Sequence, residues 1–480
     1  MRDPASDTLV DSKPEPLSLG LKLGYSMGNL SLAMQISIQG VALFYFNQVV
    51  GVPAHLVSIS LGVIIFIDAF WDPGIGQWSD RCQSRFGRRH PFLFAGMIMV
   101  PIAIYLRWHP PTGWSEMALM GYILATGLLM NLSTSLFDVP SAAMGPELVS
   151  DYHERSVLMS YRSLFMMIGM ALGTVLIYGV FLRSTPEHPV GQLNRDAYGP
   201  MSIAIAAVAF VGMATLVLST RRRAAGFHRA VPSTLGIRAQ MGEIMATLTN
   251  RNFVIALLAS AFVGVSAGIQ AGSSLYINTY FWEFTTKQIL MVMLVTIAAA
   301  PVAFVIAPRL GRRFDKRNAC IGTLFLSALF IATPISLRLL GAFPDNGSPM
   351  LLPIIFVTMM IGATMNLSSS ILVSSMVADL VEDSQVKTGR RSEGLILSAD
   401  LLPQKVLAAF AVIVPGLMLS WIGFPKDAKP GQVEPGIISA MGLSYMLIVL
   451  ICTMASVYTW SKFQIDADRH ARNLEKIRKA

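Results

Sequence analysis

Long stretches almost free of charge restrict this chain more than any other feature. Residues 254–281, 318–343 and 437–460 carry few or no ionised side chains, and each exceeds the ~20 residues that a helix needs to cross a bilayer. Backbone groups in lipid find no water, so only helices or a closed barrel can span it. A barrel would read as short segments of alternating polarity. These runs do not alternate, so the spans are helical. Charged residues make up 14 % of the 480, against roughly a quarter in a soluble domain, and the mean hydropathy is +0.56. A soluble globular protein is excluded.

Polar breaks divide the chain into twelve spans, near 22–49, 56–79, 91–108, 117–145, 157–182, 201–220, 252–282, 288–308, 318–341, 350–378, 393–422 and 436–461. Residues 1–21 read as a disordered cytoplasmic tail without a cleavable signal. Residues 22–220 and 252–461 read as two six-helix bundles, 221–251 as a cytoplasmic linker and 462–480 as a second cytoplasmic tail. Alternate connectors hold nineteen Lys and Arg, against seven in the opposite set, and the two tails hold nine more. Short cytoplasmic loops are the basic ones, so both termini are expected on the cytoplasmic side of a plasma membrane, a bacterial inner membrane. The net charge of +9 belongs to these loops and does not point to nucleic acid. Cys82, Cys320 and Cys452 imply no disulfide framework.

Apart from residues at span ends, which count with the tails and connectors, two cations remain inside spans, Arg162 and Lys405, with four acids, Asp68, Asp72, Asp138 and Asp400. An ionised group at the bilayer centre costs at least ~2.5–3.5 kcal/mol. Six such groups of both signs are expected to face one polar cavity and pair there. Asp68 and Asp72 are four positions apart, on one helix face about 6 Å from each other. Two carboxylates that close resist joint ionisation, and Na+ or a proton relieves the repulsion equally well. Asp138 stands two residues before Pro140, whose missing N–H loosens the helix. Asp68, Asp72 and Asp138 against Arg162 and Lys405 leave one net negative charge, which one monovalent cation neutralises.

The chain also repeats itself. Arg85-Phe-Gly-Arg88-Arg89 after span 2 reads like Arg309-Leu-Gly-Arg312-Arg313 after span 8, and GPELVSDYHERS after span 4 reads like VADLVEDSQVKTGRRSE after span 10. Two halves related by an axis along the membrane normal, with the site between them, are expected. The paired basic connectors are expected to latch the cytoplasmic face, with Asp80 against a helix N-terminus.

The motifs DAFWDPGIGQWSDR (68–81), SRFGRRHPF (84–92), FDVPSAAMGPEL (137–148), DYHERSVLMSYR (151–162), ADLVEDSQVKTGRRSEG (378–394) and QKV (404–406) resemble the major facilitator superfamily. Within it they resemble the glycoside–pentoside–hexuronide:cation symporters, over nearly the whole chain from residue 22. That resemblance implies an all-α integral membrane protein of major facilitator fold, twelve helices in two pseudo-symmetric bundles. It also implies cation binding by Asp68, Asp72 and Ser135, and sugar contacts by Asp138 and Arg162. Lys405 is implied in substrate binding and the charge network. Tyr25 and Trp71 are candidates for stacking and hydrogen bonding to the solute. Ala33 and Ala142 stand where the melibiose carrier has a sugar-binding acid and an aromatic platform. A lysolipid or other amphiphile is therefore a second substrate class, and a non-transporting receptor of the same fold a third reading. No H-E-x-x-H, G-x-S-x-G or P-loop is present, so no enzyme is expected. No cofactor is expected beyond the coupling Na+ or H+, and the partners are a small solute, a monovalent cation and the bilayer, with the chain a monomer.

Overall fold

The computed structural model describes residues 17–149, 151–224, 251–388 and 393–464. The expected tails and the linker lie mostly outside the described residues, and so does the side chain of Asp400. Among the described residues, twelve helices are long and apolar enough to cross a bilayer. They are α1 (Leu19–Val49), α2 (Ala54–Arg81), α3 (His90–Arg107), α4 (Glu116–Leu148), α5 (His153–Phe181) and α6 (Arg195–Arg221) in the first half. The second half holds α7 (Arg251–Phe281), α8 (Thr286–Phe314), α9 (Lys316–Leu339), α10 (Leu351–Leu380), α11 (Pro403–Trp421) and α12 (Pro435–Ser461). The helix containing α11 begins earlier, at Glu393.

Each half repeats one set of neighbours. α1 packs on α5 and α6 as α7 packs on α11 and α12, and α4 joins α2 to α3 as α10 joins α8 to α9. The junction after α1 shows the repeat residue by residue. Tyr45–Val49 and Ile277–Phe281 are both π-helical turns. Gly51 and Glu283 follow with positive φ, 87° and 51°. Glycine takes that conformation freely, whereas Glu283 is strained there. The same numerical offset separates Gly51 from Glu283, Arg107 from Leu339 at the ends of α3 and α9, and Glu147 from Asp379. It does not separate Arg85 from Arg309. The two R-x-G-R-R segments are accordingly not equivalent: the first lies in the loop before α3, the second in the last turns of α8.

The halves meet along α2–α11 and, more sparsely, along α5–α8. At α2–α11 the helices approach closely because a glycine on each leaves room for the other. A Cβ on Gly416 would collide with the Ala54 carbonyl and Ser58, and one on Gly62 with Ile413. Hydrogen bonds between described residues of the two halves lie at mid-height or at the end away from the basic connectors. There Gln48 accepts from the Tyr280 hydroxyl (3.0 Å) and the Ala428 N–H (3.0 Å) and donates to the Pro425 carbonyl (3.1 Å). Tyr276 donates to Asn47 (2.9 Å), and Gln192 bonds Thr279 and Thr286. Phe44 meets Tyr276 with ring centroids 5.1 Å apart. The offset pairs Phe44 with Tyr276 and Gln48 with Tyr280, so equivalent residues touch each other. A two-fold axis through the seal requires such self-pairing.

Candidate functional site

Mid-way along α2, Asp68 and Asp72 turn toward α11, where Lys405 bonds both. Its ammonium is 2.7 Å from Asp68 Oδ2 and makes a short contact with Asp72 Oδ2. Asp68 Oδ1 also accepts from the Trp71 indole (2.8 Å) and from Ser135 on α4 (3.1 Å). Asp72 Oδ1 is buried without a hydrogen-bond partner among the described residues. The pair, Ser135 and Lys405 therefore form one cluster across the two halves. The indole N–H of Trp71, a candidate for the solute, is taken by Asp68.

Asp138 lies three residues beyond Ser135, so on a helix the two are neighbours. Its carboxylate makes no hydrogen bond or ion pair among the described residues, and Arg162 does not pair with it. Arg162 on α5 donates to Asn29 Oδ1 (2.8 Å) and to the Tyr25 hydroxyl (3.3 Å) and lies over the Tyr25 ring at 5.3 Å. Tyr25 donates in turn to the Ser141 carbonyl (2.6 Å). A single ion-paired network of all five charged groups is thus not formed: one cluster holds Asp68, Asp72 and Lys405, and Asp138 and Arg162 stand beside it. The reason is that Arg162 is held on its own side by neutral oxygens from α1. Asn29 was not singled out by the sequence, although an amide in the middle of an apolar span was the available signal. Near it Gln35 accepts from Thr134 (2.7 Å).

At the basic-connector end of the first half, Arg88 and Arg89 converge on Glu147 at the end of α4, Arg89 at 2.5 Å. Arg89 also reaches Asp80 (3.2 Å) and the Pro140 carbonyl (3.4 Å). Asp80 is therefore an arginine partner rather than a helix cap, and Arg85 lies over Phe86 at 4.8 Å. The second half forms its latch elsewhere. Lys316 binds Asp379 at 2.7 Å, the residue equivalent to Glu147. Arg309 and Arg312 bond carbonyls of their own helix, of Val305 (2.7 Å) and Pro308 (3.3 Å), and Arg313 lies over Phe314. These three arginines, expected in the latch, are exposed and reach no acid among the described residues, because α8 continues helical to Phe314 and turns them outward. Glu147 and Asp379 are the acids the sequence reading passed over.

A model of the family described as MFS/sugar transport protein matches residues 23–467. An inner membrane symporter, YicJ of Escherichia coli, is 27 % identical over 448 residues, covering 92 % of this chain and 91 % of its own. A glucuronide carrier protein homolog of the same organism is 24 % identical over 464 residues, covering 94 % and 95 %. Among solved structures, the xylose transporter XylE of E. coli superposes with a TM-score of 0.61 at 15 % identity, covering 96 % of this chain and 98 % of that one.

Proposed function

The chain belongs to the MFS/sugar transport protein family, and from that premise we propose that it is a symporter. It carries a sugar or glycoside together with a monovalent cation, Na+ or H+, by alternating access, and is not an enzyme. The observation that carries the reading is the Lys405 bridge to Asp68 and Asp72, beside an Asp72 oxygen that has no partner among the described residues. A cation arriving at these carboxylates and Ser135 competes with the ammonium for the same oxygens. Its binding therefore bears directly on the α2–α11 contact that joins the halves. One helical turn away, Asp138, with Arg162 held by Asn29 and Tyr25, offers acceptors and donors for sugar hydroxyls. Cation and solute then share α4, and each affects where the other's ligands stand.

The halves are sealed at the end away from the basic connectors. With those connectors and both termini cytoplasmic, this is an inward-facing state of a monomer in a bacterial inner membrane. The test is uptake into proteoliposomes of a panel of radiolabelled sugars and glycosides, under an imposed Na+ gradient, an imposed pH gradient, or neither. Accumulation of at least one solute with one gradient supports the reading. Equilibration without accumulation under both would overturn the coupling, and no uptake of any member would overturn the substrate class.

A further inference from the structure

The two halves share a backbone but not a chemistry. The offset that relates them carries Asp68 onto Ala300, Thr134 onto Asn366 and Ser135 onto Leu367. All three second-half residues line one cavity of about 340 Å³. Where the first half places a cation cluster, the second half places a largely apolar wall. Opposite that wall stand Met166 and Met170 of α5. They lie one and two turns from Arg162 on one helix face, roughly 6 and 12 Å along the axis at 1.5 Å per residue. The cavity thus begins one turn beyond Arg162, on the side of the sealed end.

We propose that the solute is bipartite: a glycoside whose sugar ring binds at Asp138 and Arg162 and whose apolar aglycone, an aryl or short alkyl group, occupies this cavity. The inference rests on the sugar-transport reading and narrows its substrate class. Four observations bear on it. The volume falls in the range of small-ligand pockets, ~300–1,000 Å³, and an apolar cavity of ~150 Å³ already holds a benzene ring. Methionine walls adapt to apolar groups of varied shape. A second sugar ring fits less well there, since Asn366 and Tyr445 can meet only some of its hydroxyls and those facing Met and Ala would lose their hydrogen bonds to water unreplaced. Finally, the Asn366 amide and the Tyr445 hydroxyl, both in the lining, have no hydrogen-bond partner among the described residues. They are available to a glycosidic oxygen or a ring substituent, whereas a wall built only for packing would leave no such groups.

The experiment is calorimetric titration of the nanodisc-reconstituted full chain with matched methyl and phenyl glycosides of glucose, galactose and xylose, each as both anomers. For the sugar that binds, the phenyl glycoside is expected to bind ~10-fold or more tighter, the gain available from taking an aryl ring out of water. Ala300→Phe on α8 and Ala363→Phe on α10 each fill the cavity from a different helix. In each the ratio of methyl to phenyl Kd should fall to about one. Equal affinities in the unmodified protein, or a phenyl preference that survives in both variants, would overturn the proposal and leave the sugar reading standing. Absence of binding by every pair would remove both.

Discussion

At the scale of single residues, Lys405 is the pivot. It is the one lysine that the sequence places inside a span, and the structure gives it two carboxylates from the other half. Asp68 and Asp72 supply the counter-charge that a lone ammonium facing hydrocarbon would lack. Replacing both Asp68 and Asp72 by Asn should abolish gradient-driven accumulation while sparing solute exchange, measured in proteoliposomes. Undiminished uphill transport by that double variant would end the idea of a cation site at these residues. Lys405→Ala leaves two carboxylates facing each other without a counter-charge, so coupled transport should fall. Neutralising Asp72 in the same chain should restore part of it, since coupling energies between contacting charges are not additive. Full coupled activity of Lys405→Ala across pH would show that the bridge has no role.

At the scale of elements, hydrogen bonds at the ends of α1 and α7 close one end of the contact between the halves. Gln48 there satisfies the Tyr280 hydroxyl, the Ala428 N–H and the Pro425 carbonyl at once. Gln48→Leu keeps much of the volume and strands the Ala428 N–H and the Pro425 carbonyl, a cost of about 1–3 kcal/mol for each buried group left unsatisfied, while the Tyr280 hydroxyl keeps the Ala428 carbonyl (2.9 Å). The equilibrium should move toward the state open at that end. The readout is labelling by an impermeant thiol reagent of a cysteine placed at Asn278, beside the seal: faster in the Gln48→Leu background if the seal is the closed gate. An unchanged rate would mean that the closure resides elsewhere. The basic connectors show why element-level symmetry is easily misread. R-x-G-R-R occurs twice, yet among the described residues only the first copy faces an acid; the second half uses Lys316 and Asp379.

At the scale of the whole molecule, the loop charges predict sidedness. In a background lacking Cys82, Cys320 and Cys452, Glu187→Cys should label from outside intact cells and Gln83→Cys should not. The reverse pattern would invert the proposed topology. The twelve spans and the intramembrane ionisable residues were legible in the sequence, because the bilayer imposes a length on each helix and a penalty on each charge, both local properties. The division into equivalent halves was legible in outline, but its register was not. Short basic motifs recur by composition, and only the matched junctions at Gly51 and Glu283 fix the true offset. Partner choice was likewise beyond the sequence. That Lys405 takes Asp68 and Asp72, that Arg162 turns from Asp138 to Asn29 and Tyr25, and that Glu147 gathers Arg88 and Arg89 depend on how close the backbones come. At α2–α11 that distance is set by Gly416, which admits Ser58 and the Ala54 carbonyl, and by Gly62, which admits Ile413. Hydropathy and charge are written residue by residue, whereas contacts between distant segments exist only once the helices have packed.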